Sequence, residues 1–152
     1  QGRDLVIVSD APEECPLCRP WEGKVLSTTG STPAGAVVGG RTVAGTLDRA
    51  RGEGLFHPNC RHSVGAWVPG ITMGPPGPSS DPEGNRLRNR QRALERNVRA
   101  AKRRLAAVEP FNDPVLTRRA RGQVAGAQAN VRAFVNQHNR KRLYYREQPA
   151  MI

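Results

Sequence analysis

The chain has 152 residues, enough for one ordinary domain or for a small domain with an extended appendage. A hydrophobic content of 37% and an aromatic content of 5% argue against one well-filled globule of that length, and no run approaches the roughly 18 apolar residues of a membrane span. The formal net charge of +11 points to a polyanionic partner without naming one.

In chain order, "DLVIVS" (4–9) is a β-branched run that predicts a strand, and it is too short for the core of a signal peptide. The start at Gln1 rather than methionine predicts a piece of a longer protein. "GKVLS" (23–27) predicts a second strand, and the Gly, Ser and Thr of residues 28–42 a long loop or irregular hairpin. Residues 42–54 predict a short helix capped by Thr42 and stopped by Gly52 or Gly54, with Val43, Leu47 and Ala50 at helical spacing. A further strand is expected over 63–68.

The stretch "PGITMGPPGPSS" (69–80) resists helix and sheet alike and marks a boundary. Residues 1–80 hold seven basic and seven acidic side chains, whereas residues 81–152 hold seventeen basic and six acidic, so the whole charge excess lies in the second half. From Asn85 to Val108 the residues Leu87, Leu94, Val98, Ala101, Leu105 and Val108 keep one narrow helical stripe. "EPFNDP" (109–114) breaks it, Asp113 can cap a following helix with Pro114 in its first position, and Leu116, Ala120, Val124, Ala127, Val131, Phe134 and His138 repeat the stripe. Two stripes joined by a short break predict an antiparallel helical hairpin, marginal alone and weakened at Gly122 and Gly126. It should lean on the first domain, a partner, or copies of itself.

Three cysteines cannot all pair within one chain, and free thiols fit a reducing compartment. Cys15 and Cys18 form C-x2-C in "CPLC", and His57 and Cys60 form H-x2-C in "HPNC". Each two-residue gap lets a tight turn aim both side chains at one ion, and four soft or borderline donors favour zinc. His62 is an alternative to His57, or a donor that supports a ligand. Trp21 and Trp67 are expected to pack around the site, and Phe56 in the core. Metal ligation worth on the order of 10 kcal/mol would hold a domain this poor in aromatics. Two other readings stay open: a dithiol redox pair, which leaves "HPNCRH" unexplained, and a Cys60/His57 catalytic dyad, for which the sequence offers no clear orienting residue.

"DAPEECPLCRPWEGKVLS" followed by "GLFHPNCRHSVGAWVPG" resembles the cysteine and histidine region of tailed-phage minor capsid proteins, the group related to the Mu F-like head-morphogenesis proteins. That group has CPxC, then a W/DGKV step, then HPNCRC or HPNCRH, matched here by Cys15, Cys18, Trp21, Gly23, Lys24, Val25, His57, Pro58, Asn59, Cys60, Arg61 and His62. The basic segment "RQRALERNVRAAKRRLAA" also resembles the helical tail of the actinobacterial-phage branch. The resemblance implies a virion protein made in the host cytoplasm and placed in the capsid interior or at the portal vertex, acting in head assembly or genome packaging. Portal protein, major capsid protein and packaged DNA are its implied partners. The long amino-terminal region usual in the group is not in this sequence.

The first predicted long helix bears Arg86, Arg88, Arg90, Arg92, Arg96, Arg99, Lys102, Arg103 and Arg104 against the single acid Glu95. That imbalance lacks the alternating signs of a salt-bridged surface helix and predicts sequence-blind contact with DNA or an acidic protein face. The expectation is therefore an α+β chain: a zinc-binding, β-rich module over 1–68, a linker over 69–80, and a basic antiparallel helical hairpin over 81–152. It is expected to be noncatalytic and not membrane-bound. The alternatives are a zinc-dependent nuclease or Cys/His hydrolase, and a zinc-containing nucleic-acid-binding protein with no virion role.

Overall fold

The computed structural model describes residues 4–74 and 80–150. The chain divides into two compact units, residues 1–85 and 86–152. In the first, strands β1 (Leu5–Val8), β2 (Val25–Ser27), β3 (Val37–Val38), β4 (Arg41–Thr46) and β5 (Val64–Ala66) form one mixed sheet in the order β3-β4-β2-β1-β5. β1 lies antiparallel to both β2 and β5, with Ile7 opposite Val25 and Gly65, and β2 runs parallel to β4.

Alternation along the strands sorts the apolar side chains onto two faces. Val8 and Leu26 pack on one side with Cys18, Trp21, Leu47, Ala50 and Leu55, and Val6 borders them. Leu5, Ile7, Val25 and Val43 pack on the other with Trp67. Trp67 thus belongs to the face away from the cysteines, where the Arg41 guanidinium lies 5.4 Å from its ring centre, contrary to its expected place beside the metal ligands. Phe56 borders the cluster that contains Cys18, as a core residue would.

The helix expected from Thr42 starts later. Residues 41–46 are strand β4, and helix α1 runs Leu47–Gly52 with Thr46 as its cap, its hydroxyl accepting from the Arg49 amide at 3.1 Å. Val43, buried by parallel pairing with Val25, explains the shift: the β-branched residues gain more from the sheet than from another helical turn. The Gly/Ser/Thr loop after β2 is pinned by Asp4. Its carboxylate accepts from the Ser27, Thr29 and Thr32 hydroxyls and from the Thr29 and Thr32 amides. The Thr29 hydroxyl is the main cause, against the opposing effect of burial, that holds this carboxyl well below the usual range.

Helix α2 spans Pro82–Val108 and α3 spans Pro114–Gln137. The unit boundary falls inside α2, whose first turn belongs to the first unit. There the buried Glu14 carboxylate accepts the Asp81 amide at 3.1 Å, Asp81 accepts from the Gly84 amide, and Asn85 donates to the Glu13 carbonyl. At the break between the long helices Asn112 takes a left-handed conformation (φ 52°). Asp113 then caps α3, accepting from the Val115 and Leu116 amides at 2.8 and 2.9 Å with Pro114 in the first position, as the sequence predicts.

Leu94 and Val98 of α2 pack with Val131 and Val135 of α3, while Val108 shares an apolar recess with Leu116 and Ala120. Early α2 therefore meets late α3 and the reverse, the antiparallel arrangement. The tail adds a third strip that helical periodicity does not reveal. Gln91 donates to the Lys141 carbonyl, Arg99 to the Arg146 carbonyl and Lys102 to the Gln148 side chain, while the buried Glu147 takes both ends of the Arg142 guanidinium at 2.6 and 2.7 Å. This tail supplies part of the support the bare hairpin lacks.

Candidate metal centre

The two ligand pairs are presented by two tight turns. In the first, the Cys18 and Arg19 amides both donate to the Cys15 carbonyl at 3.1 Å, and a 3-10 turn follows over Arg19–Trp21. In the second, the Cys60 amide donates to the His57 carbonyl at 2.8 Å and Asn59 has φ 75°. Proline followed by a residue at positive φ, closed by that hydrogen bond, marks a type II turn, so Pro58 and Asn59 shape the turn and His57 and Cys60 flank it.

The turns bring five donor atoms together as two triads that share Cys18. Cys15, Cys18 and His57 lie within 4.8 Å of one another, and so do Cys18, Cys60 and His62. The Cys18 and Cys60 sulfurs are 3.4 Å apart, the Cys15 sulfur is 2.9 Å from His57 Nε2, and the Cys60 sulfur is 3.3 Å from His62 Nδ1. All three cysteines are free thiols, with Cys18 fully buried. Burial, then the nearby Cys60 and Cys15 sulfurs, pushes the Cys18 thiol well above its usual range. At Cys15 burial pushes the same way but is outweighed by the amide and side chain of Cys18 and by His57, so its pKa falls. A buried thiol that resists ionisation becomes a ligand only by exchanging its proton for a cation. This cluster of soft sulfur and imidazole donors could hold a metal ion.

Behind both histidines stand acceptors. His57 Nδ1 is 2.7 Å from the Pro58 carbonyl, and His62 Nε2 is 2.5 Å from Glu22 Oε1. Glu22 is the residue that sequence reasoning missed. It sits between Trp21 and the strand signal "GKVLS", and no spacing rule links it to a histidine forty positions on. Only the fold of the sheet brings them into contact.

The basic residues of α2 are not equivalent. Arg86, Arg90, Arg96, Arg103 and Arg104 are exposed, while Arg92, Arg99 and Lys102 are partly buried, Arg99 and Lys102 being bonded to the tail. Arg88 departs from the expected exposed face: it is buried, 8% exposed. Among the described residues no helix is long and apolar enough to cross a membrane.

Comparison with known proteins agrees with the motif pattern. A "Structural protein" of Lactococcus phage LL-H is 29% identical in a match covering 91% of this chain; the chain spans 38% of that relative's length. No solved structure gives a significant match. Residues 1–136 match the family described as phage minor capsid protein 2, and with nearly the whole chain inside that match, this protein belongs to the phage minor capsid protein 2 family.

Proposed function

We propose that the chain is a noncatalytic structural component of the phage head: a zinc-clasped module of residues 1–68, a linker over 69–80, and a basic hairpin over 81–152 that meets packaged DNA or an acidic protein face. Its place is the capsid interior at or near the portal, with portal and major capsid proteins as neighbours. The observation that carries the reading is the convergence of all three cysteines with two histidines from separate turns. Family membership supplies the virion context. The charge excess of residues 81–152 favours a polyanion as the second partner.

Zinc analysis of the purified chain should give about one ion per molecule, and the chain should copurify with portal protein from infected cells. Absence from particles would favour a nucleic-acid-binding protein outside the virion. If the five exposed arginines of α2 each meet a phosphate, log affinity for duplex DNA should change against log salt with a slope of about −4.5. Affinity that ignores salt, or survives replacement of Arg90, Arg96, Arg103 and Arg104 by alanine, defeats the electrostatic part.

One observation favours a second reading. Cys60, His62 and Glu22 form a thiol, imidazole and carboxylate relay of the kind that activates a nucleophile. A hydrolase would lose turnover in Cys60→Ala while keeping its fold and metal content. A structural clasp would lose the metal.

A further inference from the structure

Five donors form two triads that share Cys18, whereas tetrahedral zinc needs four. We propose that the ligands are Cys15, Cys18, Cys60 and His62, and that buried Glu22 is the positioning residue that holds His62 Nδ1 toward the ion, leaving His57 as a hydrogen-bond partner of Cys15. This assignment rests on the metal-clasp reading above.

The distances separate the two histidines. With Zn–S near 2.3 Å and Zn–N near 2.05 Å, the edges of a tetrahedral site are about 3.8 Å between sulfurs and about 3.6 Å from sulfur to nitrogen. The Cys18–Cys60 and Cys60–His62 separations, 3.4 and 3.3 Å, fall within a few tenths of an ångström of those edges. The Cys15–His57 separation of 2.9 Å is far shorter and suits a hydrogen bond between ring and sulfur. Cys15 lies within 4.8 Å of Cys18 but in the other triad, so it completes the set by moving its sulfur toward Cys60 and His62 when the ion binds.

Burial and charge point the same way. The His62 side chain is 2% exposed and that of Glu22 is 0% exposed, and the contact between them occupies Nε2, so the remaining ring nitrogen, Nδ1, points toward the Cys60 sulfur. A metal-bound histidine commonly donates its other N–H to a carboxylate, which fixes the ring and raises its basicity. Glu22 Oε2 is buried and has no hydrogen-bond partner. A dry carboxylate so thinly solvated is costly unless positive charge lies close by, and a divalent ion beyond the imidazole provides it. His57 has a neutral carbonyl, not a carboxylate, behind its Nδ1.

The test uses the full chain, with zinc affinity measured by chelator competition and the ligand set read from the absorption of the cobalt(II) form. Wild type should give the spectrum of three sulfurs and one nitrogen. His57→Ala should keep that spectrum and stay within a few-fold in affinity, whereas His62→Ala should lose the nitrogen signature and at least 100-fold in affinity. Glu22→Gln should keep the spectrum but bind 10- to 100-fold more weakly, the range expected for a residue acting through a ligand. Should His62→Ala fail to fold, His62→Cys serves instead: at a ligand position it keeps the ion and moves the spectrum to four sulfurs. Loss of the ion in His57→Ala with retention in His62→Ala overturns the assignment, as does wild-type binding by both. A wild type that takes up no metal overturns the clasp itself, a different result from a metal held by His57.

Discussion

Cys18 is fully buried and common to both triads, so Cys18→Ser separates ligation from packing. The substitution keeps shape and nearly the volume, and the hydrogen bond it alters to the Gly54 carbonyl, at 3.9 Å, is long. Its packing cost is about 1 kcal/mol, comparable to one buried methylene. Ligation is larger: free zinc at a thousand times its Kd stabilises the native state by about 4 kcal/mol. One kcal/mol moves Tm by roughly 4–8 °C in a unit of 60–100 residues. Chelation should therefore lower the melting temperature of zinc-loaded wild type by roughly 15–30 °C. Cys18→Ser should melt within a few degrees of chelated wild type and respond little to zinc. Melting followed by tryptophan fluorescence reports on the site, because Trp21 packs in the same cluster as Cys18. If Cys18→Ser shows the full zinc-dependent rise, or chelation leaves wild type unmoved, the metal argument fails.

Gly122 lies on an exposed part of α3 with nothing within 4 Å of where a Cβ would stand, so Gly122→Ala should raise helix stability by about 0.5–1 kcal/mol in denaturant unfolding followed at 222 nm; a loss would mean that close packing uses this glycine. Glu147→Ala should destabilise the second unit by about 3–5 kcal/mol because it strands Arg142, whose side chain is only 11% exposed, and a cost under about 1 kcal/mol would show that the pair is superficial. At Glu14 burial is outweighed by the Asp81 amide, its own amide and Arg19, so its pKa falls below the ordinary 4.5. The native state thus gains stability from the carboxylate above pH 4.5 and loses it as pH falls through the lowered value. Exchange of the Asp81 amide should accelerate across that acidic window in wild type, and Glu14→Gln should remove the step; a pH-independent amide would refute the link.

Much of the local structure was legible in the residues themselves. β-branched runs announced β1 and β2, the stripe Leu94, Val98, Val131 named hairpin core positions, and Asp113-Pro114 marked the start of α3. These signals are local, set by period, cap and turn chemistry. Helical spacing of Val43, Leu47 and Ala50 predicts a helix from Thr42, but residues 41–46 also alternate in burial as a strand does and form β4. Parallel pairing of β4 with β2 settles that competition, and pairing partners are not visible in a window of ten residues. Arg88 and Arg99 fall by sequence into one basic face, because helical period does not show that one is buried and the other bonded to the tail.

The amino-acid sequence by itself determined the donor types, the two turns that carry them, the neutral first half and the basic second half, because each is written in residue identity and short spacing. Tertiary structure decided how the donors are grouped. It placed Glu22 behind His62 and moved Trp67 to the opposite face of the sheet. The reason is geometric: a ligand pair two residues apart is a property of one turn, whereas a carboxylate and an imidazole forty residues apart meet only when the sheet between them has formed.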